Sequence, residues 1–177
     1  YLSRQLPGYR VFMDGRGLGG QVFADYMEIQ YNEKIDLLER YPANAAVFPM
    51  FNLVTNKVVP LALVMTYAPQ WVPVFVGENA LVFVRNSPEN RGVIARYQIG
   101  RQQMLRTVAT AYGWMLDSYP DDYTALVTLA QLKESFGDLT GAIPLLERAV
   151  AVKPESEYAP KALARLQRKL RGGASLP

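Results

Sequence analysis

Hydrophobic and polar positions set out a chain in two parts. Residues 10–13 form a short apolar run that enters a glycine-rich loop, Asp14-Gly15-Arg16-Gly17-Leu18-Gly19-Gly20. Beyond the loop, Val22, Phe23, Tyr26, Ile29 and then Ile35, Leu37 and Leu38 recur among polar residues at roughly helical spacing, with an irregular middle near Tyr31-Asn32. Pro42 ends this helix, and residues 45–49 read as a short buried strand. Thr55 or Asn56 is placed to cap the next helix, over residues 61–67, with Pro60 in its first turn. Two β-branched and aromatic runs, 71–76 and 80–85, flank Gly77-Glu78-Asn79 and predict an antiparallel hairpin. Pro73 puts the first run at a sheet edge, or itself at a strand start.

The order strand, helix, strand, helix, hairpin predicts an α/β domain over residues 1–88, a small sheet of about four strands flanked by helices. Its first two strands are compatible with parallel pairing through a crossover helix. Residues 87–92 are rich in turn formers, and from Gln102 onward the periodicity is helical, punctuated by Tyr119-Pro120, Gly137-Asp138 and Lys153-Pro154. Residues 89–177 are therefore expected to be a helical region.

Pro120 and Pro154 stand 34 residues apart, and Leu126, Leu129, Ala130, Ala142, Leu146 and Ala149 lie between them at positions suited to a packed helix pair. Residues 121–154 resemble one tetratricopeptide repeat. Lys133 stands where an aromatic residue is usual, and Pro144 fits only within the first turn of the second helix. Residues 102–118 and 158–170 supply flanking helices. One such repeat cannot bury its own apolar faces, so the tail is expected to pack on its neighbours, the first domain included.

Composition narrows the chemistry. Among the 177 residues there is no cysteine and no histidine, which removes disulfides, thiolate chemistry and the commonest general base and metal ligand. Catalysis would rest on Asp, Glu, Lys, Tyr or Ser, which disfavours an autonomous hydrolase or metalloenzyme and leaves the enzyme question open. No metal and no cofactor is expected. The net charge of +3, without a basic stripe across the fold, argues against a nucleic-acid partner. Residues 58–69 form the longest apolar stretch, well short of the ~20 needed to span a bilayer. With Tyr1 in first place, the chain reads as an excised soluble piece.

Two sets of residues are candidates for binding. Gly15, Gly17 and Gly20 satisfy the spacing of a dinucleotide fingerprint after a strand and before a helix, and with Asp14 and Arg16 form the candidate ligand loop. Against nucleotide binding, Asp14 places a carboxylate where phosphate would lie, and the second strand ends Phe48-Pro49-Met50 without the acid that would hold a ribose. The alternative is a turn in which glycines take positive φ and Asp14 orders the loop. Asp14, Arg16 and Arg85 or Arg91 form a further candidate polar cluster. The second set is the inner face of the repeat's first helix, Thr124, Val127, Gln131, Glu134 and Ser135, which would meet a protein or peptide.

Other features have plain readings. Asp121-Asp122 serve as cap and first-turn acids. Lys161, Arg165, Arg168, Lys169 and Arg171 complement the dipole of a terminal helix or face an anionic surface, and Tyr26, Tyr31, Phe48, Trp71, Phe75 and Phe83 form the core or line a pocket.

Val11-Phe12-Met13-Asp14-Gly15-Arg16, then Val47-Phe48-Pro49, then the run from Trp71 to Arg85 resemble the soluble extracytoplasmic tail of polytopic bacterial membrane proteins related to the mannosyltransferase-like, C-type glycosyltransferases. The resemblance covers residues 1–86. It implies a non-catalytic interaction or substrate-positioning domain on the periplasmic face of the inner membrane, tethered through segments outside this chain. It supplies no catalytic residue. A stand-alone soluble repeat adaptor is the second reading, and a dinucleotide-binding enzyme using the Gly15–Gly20 loop the third.

Overall fold

A computed structural model describes residues 20–77 and 80–173. The expected first strand and residues 14–19 of the glycine loop lie outside them. The chain divides into two units. The first takes residues up to Pro49 together with Val59–Ile99, and the second takes Met50–Val58 together with the chain from Gly100 on. The division therefore falls after Ile99 rather than at residue 88, and a short internal segment belongs to the helical unit.

In the first unit, α1 (Gln21–Asn32) starts at Gly20, whose φ of +81° only glycine adopts without strain. It ends where Glu33 turns left-handed, and a 3-10 helix follows over Ile35–Arg40, so the expected irregularity near Tyr31-Asn32 is a full break. Strands β1 (Ala45–Phe48), β2 (Trp71–Val76) and β3 (Leu81–Arg85) form a sheet in the order β1-β3-β2, antiparallel at both pairings. The hairpin is present, and Pro73 lies on the edge strand β2, where its lack of an N–H costs no ladder bond. The register shifts between Pro73 and Phe75, and the Pro73 carbonyl accepts from Ile99 N at 2.8 Å.

Three of the six aromatics expected in the core are there. Phe48, Trp71 and Phe83 are buried, with the Phe48 and Phe83 rings stacked 5.7 Å apart, whereas Tyr31 and Phe75 are exposed by 61% and 51% and Tyr26 is half-buried. The exposed pair lie on the outer sides of α1 and the edge strand. Pro60 directly precedes α2 (Leu61–Tyr67), which buries Leu61, Ala62 and Met65. Thr55 and Asn56 do not cap it: they belong to the Met50–Val58 segment, and no side chain caps α2. After a 3-10 turn at Pro88–Asn90 comes α3 (Arg91–Tyr97).

The second unit is helical: α4 (Arg101–Ser118), α5 (Tyr123–Ser135), α6 (Leu139–Val152) and α7 (Tyr158–Gly173), each packed on the next. α4 buries Met104, Leu105, Val108, Ala111, Tyr112, Met115 and Leu116, a face repeating every three to four residues. Ala130, Ala142 and Ala162 with Leu146 and Leu166 form a core shared by α5, α6 and α7, the small alanines letting the helices approach closely. Gly137 makes the turn between α5 and α6 at φ +82°. Asp122 caps α5 by accepting from Ala125 N at 3.0 Å, and Asp138 caps α6 by accepting from Gly141 N at 2.8 Å. Pro144 falls inside α6, beyond the first turn in which it was expected. It is exposed, as is Thr140 four residues before it, so the helix carbonyl it leaves without an amide sits on the solvent side.

Candidate functional site

Of the candidate ligand loop, Asp14, Gly15, Arg16 and Gly17 lie outside the described residues, and Gly20 is the residue before α1. A Cβ there would meet nothing within 4 Å, so conformation rather than crowding calls for glycine. The buried acid nearby is Asp25, only 2% exposed on the inner face of α1. It accepts from Gln21 Nε2 at 2.6 Å, Tyr41 OH at 2.8 Å and Arg40 Nη1 at 3.2 Å, which binds α1 to the last residue of the 3-10 helix and the residue after it. The Gln21 amide foremost, then the Tyr41 hydroxyl and the Arg40 guanidinium, hold its carboxyl below the usual aspartate range. The same bond raises the Tyr41 phenol. A carboxylate so fully engaged is a structural lock, not a base poised to take a proton.

Asp14 and Arg16, expected beside Arg85 in a polar cluster, lie outside the described residues, and Arg85 itself binds residues before β1. Its Nη1 donates to both oxygens of Glu39 at 2.8 and 2.7 Å, Nε donates to the Ala43 carbonyl at 2.9 Å, and the guanidinium lies 4.9 Å from the centre of the Trp71 ring. It ties β3 to the segment before β1. Arg91, with Asn86, Ser87, Pro88 and Ile94, lines an open depression of about 240 Å³.

The interaction candidates fall on α5. Thr124 and Ser135 are exposed, Val127 is half-buried, and Gln131 and Glu134 reach across to α7. Gln131 Nε2 donates to Tyr158 OH at 2.6 Å. Arg165 grips Glu134 with two parallel bonds of 2.5 and 2.8 Å, and this pairing raises the guanidinium further above its already high value. Ser135 turns its hydroxyl back to the Leu132 carbonyl at 2.7 Å. The structure thus brings Gln131 and Glu134 together with two residues of α7, leaves Thr124 open to solvent, and uses Ser135 within its own helix.

Reading α5 alone missed Tyr158 and Arg165. The signal was present: they stand 34 residues after Thr124 and Gln131, and the same offset carries Val127, Glu134 and Ser135 to Lys161, Arg168 and Lys169. The cations counted along the sequence as helix-end charges therefore recur at the positions of the α5 candidates.

The base of α5 is held by the Met50–Val58 segment. Phe51 bridges to Val58, and the Asn52 carboxamide oxygen accepts from Val54 N and Thr55 N at 2.9 and 3.0 Å. Tyr119 OH donates to the Thr55 carbonyl at 2.8 Å, and Lys57 Nζ lies 2.6 Å from Asp122 Oδ2. Burial works against the charge on Asp122, but Lys57 and the Ala125 amide outweigh it and keep the carboxyl below the ordinary aspartate range. Asp122 is thus the cap, whereas Asp121 precedes it as an exposed neighbour and no acid lies in the first turn, so only the cap half of the sequence expectation holds. Asp121 joins Arg148, Ala151 and Val152 around a second open depression of about 430 Å³. Among the described residues no group of three or more acidic side chains is placed to hold a metal ion, and no helix is long and apolar enough to cross a membrane.

Compared with protein-family models, curated proteins and solved structures, the chain matches none.

Proposed function

We propose that this chain is a non-catalytic interaction domain of a larger membrane-anchored protein of the glycosyltransferase-like kind, held at its extracytoplasmic face, and that its helical unit docks a protein segment along α5 and α7. The observation that carries the docking reading is the cross-helix pairing of Gln131 with Tyr158 and of Glu134 with Arg165. These bonds tie two helices of equivalent position in a 34-residue period into one polar face, with Thr124 exposed at its edge. A tetratricopeptide-like stack uses such a face because its apolar sides are consumed in stacking. The resemblance of residues 1–86 supports the membrane-anchored parent.

A photo-crosslinking amino acid at Thr124 of the membrane-anchored parent tests this. It is expected to give a discrete protein adduct, while the same group at Glu147, exposed on α6, gives none. Equal capture at both positions, or none at Thr124, overturns the docking reading. A parent reading frame without membrane-spanning segments overturns the other half.

A further inference from the structure

α7 carries more positive charge than its structural contacts employ. Lys161, Arg165, Arg168, Lys169 and Arg171 lie on this one helix with no acidic residue among Tyr158–Gly173. The whole chain nets only +3, so everything outside α7 is net negative. Cations usually collect in the last helical turn, where they complement the carbonyl end of the dipole. Here only Arg171 is in that turn. Lys161 lies near the opposite end, where the dipole opposes it. Its contact with Glu157 joins two side chains 75% and 84% exposed, a pairing of little worth. Arg165 is engaged by Glu134, Arg168 Nε reaches only the Ala164 carbonyl of its own helix at 3.4 Å, and Lys169 is exposed.

The layout of these charges decides what they fit. Ala159, Ala162 and Leu166 form the buried side, and Tyr158 and Arg165 mark the side toward α5. At about 100° per residue, the five cations cover roughly 160° of the helix circumference and about 15 Å of its length. Arg168 and Arg171 lie round the helix from the α5 side, so a segment lying between α5 and α7 would meet only one margin of the array. Neither depression described above includes them. A discrete carboxylate or phosphate needs donors that converge, whereas a plane of negative charge engages a convex array over its whole width.

The geometry points to α7 as a docking face for the anionic phospholipid headgroups of a bilayer. Contact is at headgroup level, because the apolar side of α7 is already committed to α5 and α6. The inference rests on the reading of the chain as a membrane-held domain, which supplies the bilayer.

The test is partition of the chain onto vesicles, by flotation. Binding is expected to a one-to-three mixture of phosphatidylglycerol and phosphatidylcholine, not to phosphatidylcholine alone. It should weaken as ionic strength rises from about 0.01 M to about 0.15 M, which shortens the screening length from about 30 Å to about 8 Å. Each cation near an anionic surface contributes about fivefold. The variant Lys161→Gln/Arg168→Gln/Lys169→Gln, which spares the Arg165–Glu134 pair, should lose about a hundredfold with unchanged circular dichroism, and Lys169→Gln alone about fivefold. Arg91→Gln/Arg96→Gln on α3 should bind nearly as the parent chain does. Failure to bind at low salt, equal binding to neutral vesicles, equal loss in the α3 variant, or tighter binding to polyglutamate than to the anionic vesicles would each overturn the inference. The last outcome would give the face to an acidic protein segment. None of these touches the membrane-anchored reading, which stands or falls on the parent's own membrane segments.

Discussion

Within a unit, single side chains tie distant segments to one another, and the clearest case is Asp25 in the first. A helix residue flanked by Ala24 and Tyr26 gives no sign in the sequence that it is buried, since its partners Arg40 and Tyr41 are 15 and 16 residues away. Its depressed pKa makes a directional prediction. The stability it contributes is present above the ordinary aspartate value, about 3.9, and is lost as pH falls through the lower folded value. Asp25→Asn should therefore lower the urea midpoint at neutral pH, with the gap to the parent chain closing as pH falls below the ordinary aspartate value. A gap of constant size across that range would mean that the lock acts through shape alone.

Among the elements, the caps of the helical unit show local rules and packing at work together. Asp138 was legible only as half of a Gly137-Asp138 turn, yet it caps α6 through Gly141 N and also receives Lys133 Nζ at 2.7 Å. The lysine that departs from the aromatic expected in the repeat thus reaches the cap of the following helix. Lys133 foremost, then the Gly141 amide, keep this carboxyl below its usual range. A Cβ on Gly141 would come within 2.3 Å of Asp138 Oδ2, whereas one on Gly113, in the middle of α4, would meet nothing within 4 Å. Gly113→Ala is expected to stabilise by about 1 kcal/mol, raising the melting temperature by about 2–4 °C. Gly141→Ala should give no such gain, because the added methyl displaces the capping carboxylate. Thermal melts of the two variants side by side check this.

At the scale of the whole molecule, the short segment Met50–Val58 leaves the first stretch of the chain to complete the helical unit. Met50 and Val58 are buried, Val58 N meets Met115 Sδ at 3.4 Å, and Thr55 and Lys57 bind Tyr119 and Asp122. A fragment beginning at Gly100 lacks all of these partners. It is expected to melt at lower temperature than the helical unit of the intact chain, and addition of a peptide spanning 50–58 should restore part of the loss. A fragment as stable as the unit in the intact chain would show the segment to be dispensable.

Local periodicity was enough for the hairpin, for Pro73 on an edge strand, for α4 to α7 and for Asp122 as a cap, because spacing, turn residues and caps act within a few positions of one another. Partnership was not legible. The sequence alone could not tell that Asp25 is buried, that Arg85 binds Glu39, that residues 50–58 belong with the helices, or that Phe75 faces outward. Each depends on residues brought together from distant positions, and the burial and hydrogen bonds that result exist only once the chain has folded. The charges of α7 show the same division: composition supplied five cations, and only the helix boundaries and the Glu134–Arg165 pair decided that the dipole of the last turn does not account for them.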